Sequence, residues 1–170
     1  MRDELVVTVS ELLSNPGSRR RLTFDQPVGG LKQELVRVEP DDPLHFDLLF
    51  EAVDGESVHV RGEISGRLVV TCRRCLNEAS APFKAEVSEV YRPTHDVWEE
   101  GYVVTDGKQV DLGVLTHEGV LLEMPINPTC REDCAGLCPS CGKDLNEGDC
   151  GCAPDEGDDR WGPLRDLLQG

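Results

Sequence analysis

Eight cysteines fall in four close pairs, Cys72-x2-Cys75, Cys130-x3-Cys134, Cys138-x2-Cys141 and Cys150-x-Cys152, and their spacing constrains the fold more than any other feature of the 170-residue chain. A close pair sets two sulfurs on one side of a tight turn, and two such turns facing each other complete the tetrahedron of a structural zinc site. Four protein ligands leave no coordination position for water. The expectation is therefore two structural zinc ions and no catalytic metal. A disulfide framework belongs to oxidising compartments and usually to shorter chains. Met1-Arg2-Asp3-Glu4-Leu5, followed by Val6 to Val9 and then polar residues, lacks the apolar core of a signal peptide. No run approaches the ~18 to 20 apolar residues of a membrane span. A soluble protein of a reducing compartment is expected, with no membrane association.

Loop length bears on which pairs share a metal. Cys138-Pro139-Ser140-Cys141-Gly142 reads as a zinc knuckle, the glycine permitting a turn in which N–H groups face thiolates. Its nearest partner in sequence is Cys150 with Cys152, and short loops cost least to close. Cys72 and Cys75 would then meet Cys130 and Cys134. The alternative joins Cys130 and Cys134 to Cys138 and Cys141, and sends Cys150 and Cys152 back to Cys72 and Cys75.

Hydrophobic alternation supplies the scaffold. Leu44, Phe46, Leu48, Phe50 and Ala52 occupy every second position up to the turn Asp54-Gly55-Glu56-Ser57, and Val58, Val60, Gly62, Ile64, Gly66, Leu68, Val70 and Cys72 continue the period on the return run. A third run, Ala79 to Tyr91, follows the first cysteine pair. Shorter strands are expected at Leu5–Val9, Leu22–Phe24, Leu35–Val38, Tyr102–Val104 and Val110–Leu112. A brief helix is expected from Ser10 with Ser10 as its cap, and a longer one over Leu112–Leu122 with an apolar stripe including Val114 and Leu122, Asp111 being available as a cap. A capped helix with Trp161, Leu164 and Leu168 on one side is expected near the C-terminus. The fold class is α+β: an antiparallel, curled sheet with a helix and a zinc-ribbon-like segment, divided into a sheet domain over 1–128 and a cysteine-rich segment with a C-terminal helix over 129–170.

The formal charge is −16, with net −4 on residues 1–92 and net −12 on residues 93–170. Nucleic-acid affinity rests on cationic contacts to phosphates, so an acidic surface suits a basic protein partner at least as well as RNA. Arg19-Arg20-Arg21, and the set Arg61, Arg67, Arg73 and Arg74, are the candidate basic contacts to RNA or a partner. The competing reading makes them solvated rims and surface ion pairs. His45, His59, His95 and His117 read as surface residues rather than ligands. No phosphate loop, catalytic triad or nucleophile elbow is present in the sequence. A thiol or zinc redox switch remains an alternative use of the cysteines.

Cys72-Arg73-Arg74-Cys75-Leu76 after a long strand, Val110-Asp111-Leu112 before a helix, Leu121-Leu122-Glu123-Met124-Pro125 leading to Cys130, and Gly136-Leu137-Cys138-Pro139-Ser140-Cys141-Gly142-Lys143-Asp144-Leu145-Asn146 together resemble the YceD family of bacterial and plastid proteins. The Trp161 segment is similar to the family's closing motif. The resemblance runs from about Leu44 onward. It implies a cytoplasmic ribosome-biogenesis factor needed for synthesis, processing or stability of the large-subunit (23S) ribosomal RNA. Its partner would be that RNA, a ribosomal protein or a processing factor, and its gene would commonly lie beside one for a large-subunit ribosomal protein. The family provides no catalytic residue to carry over.

Overall fold

The computed structural model describes residues 5–39, 41–93, 102–105 and 107–153. The expected Trp161 helix and His95 lie outside these residues. From the N-terminus come β1 (Val6–Thr8), α1 (Ser10–Leu13), β2 (Arg19–Gln26), β3 (Lys32–Gln33) and β4 (Val36–Val38). The three long strands follow: β5 (Leu44–Ala52), β6 (Val58–Thr71) and β7 (Glu78–Pro93). After them come β8 (Val103–Val104), β9 (Gln109–Asp111), α2 (Gly113–Glu123) and a 3₁₀ turn at Leu145–Glu147. Strands predominate, joined in one curled sheet.

β6 is the spine of the sheet. One edge pairs with β7 from Val58↔Tyr91 to Thr71↔Glu78. Its other edge is shared, β5 taking Val58 to Ser65 and β4 taking Leu68 to Val70. The period of two sends Leu44, Phe46, Leu48, Val58, Val60 and Ile64 inward, each fully buried. Phe83, Ala85, Val87 and Tyr91 join them from β7. Two glycines on the inner face of β6 make room for the neighbouring chain. A Cβ at Gly62, whose φ is +151°, would stand 2.1 Å from the Asp47 carbonyl oxygen, and one at Gly66 would stand 2.6 Å from Leu44 Cδ2.

Four expectations need correction. The sheet is mixed: β8 runs parallel to β7 through Arg92↔Val103 and Pro93↔Val104, while every other pair is antiparallel. Strand direction leaves no trace in side-chain alternation, and a two-residue strand has almost no alternation to read. β2 begins at Arg19 rather than Leu22, because Arg19 and Arg21 lie outward and pair across the strand with Glu51 and Asp47 at 2.8 and 2.5 Å. Ser10 lies inside α1, and Val9 holds the cap position without a side-chain hydrogen bond. The inward stripe of α2 centres on Thr116 and Val120, leaving Leu122 85% exposed. Asp111 does assist the start of α2, its Oδ1 accepting the Gly113 N–H at 2.7 Å. No helix among the described residues is long and apolar enough to cross a membrane.

Candidate metal centres and the outer face

The eight thiols form two quartets. Cys72, Cys75, Cys130 and Cys134 make one, and Cys138, Cys141, Cys150 and Cys152 the other; within each, the Sγ atoms all lie within 4.8 Å of one another. The division follows loop length rather than the alternative grouping. In the first quartet Cys72 and Cys134 are 3.8 Å apart and Cys75 and Cys130 are 3.6 Å apart. A tetrahedron with metal–sulfur bonds of about 2.3 Å has edges of about 3.8 Å. Both quartets have the donor set and the closeness to hold a metal ion.

The sheet fixes the first quartet. The β6–β7 turn closes with Cys72 N–H donating to Asn77 O and Leu76 N–H donating to Cys72 O, both at 2.9 Å. Incoming chain is tied to this turn at three points. Arg73 N–H donates to Pro128 O at 2.9 Å, Leu137 N–H donates to Arg74 O at 3.0 Å, and Arg74 Nη1 donates to the carbonyls of Glu132 and Cys134 at 3.1 and 3.0 Å. Gly136 has φ +77° and approaches so closely that a Cβ would meet Arg74 O at 3.1 Å. Cys72, Cys75 and Cys134 are buried as a result.

Hydrogen bonding prepares particular sulfurs as thiolates. Burial raises the Cys72 thiol, but backbone N–H groups at Cys75, Cys130 and Arg74 outweigh it and bring the thiol to about 6. The N–H groups of Cys141 and Ser140 hold Cys138 at about 6 in the same way. The Asn146 amide lowers Cys134. Burial pushes Cys130 up to about 12, and the neighbouring thiols push Cys152 to a similar value. Each quartet thus contains a sulfur whose deprotonated form the backbone N–H groups favour, and the remaining thiols would lose protons on binding a cation.

The second quartet is more open, with Cys138 buried, Cys150 half-buried, and Cys141 and Cys152 exposed. Its knuckle closes through Cys138 N–H to Lys143 O at 2.8 Å and Gly142 N–H to Cys138 O at 2.9 Å. Asn146, to which the sequence reading gave no role, locks the two knuckles together. Its Oδ1 accepts from Ala135 N–H and Arg131 Nη2 at 2.8 and 2.6 Å, and its Nδ2 donates to Cys134 Sγ at 3.4 Å and Asp144 Oδ1 at 2.6 Å. Asp144 Oδ2 in turn accepts from Asn77 Nδ2 on the sheet turn at 2.9 Å. Asn146→Ala is expected to weaken metal retention at the first quartet by about 10- to 100-fold, read by competition with a chromogenic chelator, while the second quartet changes less.

The four candidate arginines do not converge. Arg61 and Arg67 share the outward face of β6, about 20 Å apart at ~3.3 Å per residue, and Arg73 and Arg74 occupy the turn. Arg61 lies 3.7 Å from Glu51, Arg67 donates to Ser80 Oγ at 3.1 Å, Arg73 lies 3.9 Å from Glu34, and Arg74 is committed to the two carbonyls. A groove of about 670 Å³ beside Arg61 has Arg21 in its lining but also Asp47, Glu63 and Glu86. The face is mixed in sign. His45 faces Asp25 at 2.6 Å, His59 faces Ser88 at 2.9 Å, and His117 is exposed on α2; none of the three joins a quartet.

Comparison with known proteins gives a consistent set of likenesses. The family model described as Large ribosomal RNA subunit accumulation protein YceD matches residues 60–168. An uncharacterized protein of Mycobacterium tuberculosis is 31% identical over 172 residues, covering 96% of this chain and 81% of that protein. One from Mycobacterium leprae is 32% identical over 171 residues, covering 96% and 77%. The large ribosomal RNA subunit accumulation protein YCED homolog 1, chloroplastic, of Arabidopsis thaliana is 34% identical over 73 residues, 42% of this chain and 23% of its own. No solved structure gives a significant match.

Proposed function

The chain belongs to the YceD family, and we propose that it is a non-enzymatic, cytoplasmic ribosome-biogenesis factor supporting accumulation of the large-subunit (23S) ribosomal RNA through a protein partner. The family match supports the RNA product. The protein partner is supported by one observation above all: on a chain of net charge −16, the outward Arg19, Arg21, Arg61 and Lys84 each lie beside a carboxylate rather than forming a bare cationic patch among the described residues. Phosphate binding needs uncompensated cations. A basic ribosomal protein or processing factor is the complementary partner for the acidic residues beyond 92.

Zinc suits both quartets, since four thiolates in a closed tetrahedron are a structural zinc site. Cys72, Cys75, Cys130 and Cys134 would hold one ion and Cys138, Cys141, Cys150 and Cys152 the other. Bound zinc supplies cross-links there, not reaction chemistry. The protein's own contribution is to present residues 129–153 in a fixed relation to the β6–β7 turn, through Arg73, Arg74 and Asn77. We treat residues 1–128 as the sheet domain and 129–170 as the cysteine-rich segment it carries.

Depletion in cells is expected to lower the ratio of 23S to 16S RNA, with rescue by the wild-type chain and by an Arg61→Ala, Arg67→Ala double variant, but not by Cys72→Ser. Purified zinc-loaded protein should show no salt-sensitive binding to free 23S RNA. Tight binding that falls steeply with salt and is lost in the arginine variant would favour direct RNA contact instead.

A further inference from the structure

Among the described residues, β2 is an eight-residue strand with one open edge. It pairs with β5 alone, and no backbone hydrogen bond from another described segment reaches its far side. β1 and β3, the other strands at the ends of the sheet order, are only three and two residues long. Unpaired edges of this length are templates for another strand unless guarded by charge, proline, a bulge or a covering element. Leu22 and Phe24 on the inner face of β2 pack against the core yet remain half-buried, with Phe24 stacked on Phe46 at 4.7 Å. An additional strand would cover both.

We propose that the occupant is β2 of a second copy, paired antiparallel about a two-fold axis that passes through Thr23. A two-fold axis normal to a sheet places even-numbered residues opposite even and odd opposite odd, so only registers centred on a residue keep the inner faces continuous. Centring on Thr23 sets Leu22 opposite Phe24 of the second copy on the inner face and Arg21 opposite its Asp25 on the outer face, each contact occurring twice. Thr23 meets Thr23, and Arg20 meets Gln26. Apolar, hydroxyl and opposite-charge pairs across antiparallel strands are each stabilising. Centring on Leu22 instead would set Arg20 against Phe24 and leave Arg21 facing Thr23.

The arginines that guard this edge against arbitrary strands are thus matched by the edge itself. Arg21 and Asp25 are both exposed on the outward face, where each also has an intrachain partner, Asp47 and His45 respectively. Those inner partners would extend the contact into an alternating row of charge. The net charge of −16 opposes association at long range, but at physiological ionic strength it is screened beyond about 8 Å. Locally, Arg19 and Arg21 already lie beside Glu51 and Asp47 on β5, so the two copies do not meet as bare cationic edges.

The zinc-loaded full chain, followed by light scattering and native mass spectrometry over a concentration series, is expected to form a dimer. Asp25→Arg, which sets like charges opposite each other twice, should raise the dimer dissociation constant about tenfold or more. Combining it with Arg21→Asp should restore association. Thr23→Cys should give a cross-link joining the two introduced thiols under mild oxidation, identified by peptide mass, which keeps the register testable if a charge variant folds poorly. A chain that stays monomeric throughout overturns the proposal and leaves the edge to a strand from a different protein. A dimer indifferent to Asp25→Arg, or cross-linked elsewhere than position 23, overturns it as well.

Discussion

Cys72→Ser is expected to remove one of the two zinc ions proposed for the quartets and to cost the protein far more stability than Cys152→Ser, which is expected to remove the other. The difference follows from where the two thiols sit. Cys72 is wholly buried at the end of β6, and its quartet holds the exit of α2 to the β6–β7 turn. Cys152 is exposed, and its quartet closes a loop that stands outside the core cluster. Structural zinc contributes on the order of 10 kcal/mol at neutral pH, comparable with the ~5 to 15 kcal/mol of a whole domain. A loss of about 5 kcal/mol at the first site would lower Tm by roughly 10 to 20 °C at ~2 to 4 °C per kcal/mol. At the second site the loss should stay local, because the sheet does not depend on residues 138–152 for its core. Native mass spectrometry would read one zinc in each variant. Hydrogen exchange should show faster exchange at the ends of β6 and β7 and along residues 128–137 for Cys72→Ser, but only near residues 138–152 for Cys152→Ser. Equal melting temperatures for the two variants would defeat the distinction.

The features legible in the sequence are those repeated by neighbouring residues. Leu44 to Ala52 and Val58 to Cys72 alternate long enough to fix both the strands and the face each residue takes, and the eight-residue gap between Cys141 and Cys150 was enough to favour one grouping of thiols. Features carried by single contacts were hidden. The expected strand starts only at Leu22 because the partners of Arg19 and Arg21, Glu51 and Asp47, lie far along the chain and become neighbours only when β2 meets β5. Val114 and Leu122 looked like part of the α2 stripe, yet each lies two residues, about 200° of helical rotation, from the central Thr116 or Val120. Asn146 gave no periodic signal at all; its role exists only where the two knuckles touch. The four arginines show the converse: their shared charge suggested one surface, whereas their positions along β6 and its turn disperse them.

Gly62 provides the sharpest test of the sheet itself. A Cβ there would meet backbone on three counts, 2.1 Å from Asp47 O, 3.0 Å from Leu48 Cα and 3.1 Å from Asp47 C, at a φ of +151° that disfavours L side chains. Backbone cannot rotate aside as a side chain can, so Gly62→Ala must push β5 from β6 where Leu48 is fully buried. Unfavourable φ alone costs about 1 to 3 kcal/mol, and the displaced pairing brings the expected loss to about 4 kcal/mol or more, a range reached by few single substitutions. Gly66→Ala meets only the ends of side chains, Leu44 Cδ2 at 2.6 Å and Phe83 Cε1 at 3.1 Å. Repacking there should cost about 1 to 3 kcal/mol. At Gly29 a Cβ meets nothing within 4 Å and φ is ordinary, so Gly29→Ala should fall within about 0.5 kcal/mol of wild type. Urea unfolding of the three zinc-loaded variants should therefore rank them Gly62, Gly66, Gly29 from most to least damaged. Should Gly62→Ala be too unstable to purify, the order of the other two still tests the packing. A Gly62→Ala protein as stable as the Gly29→Ala control would mean that β5 and β6 do not approach as closely as this register requires.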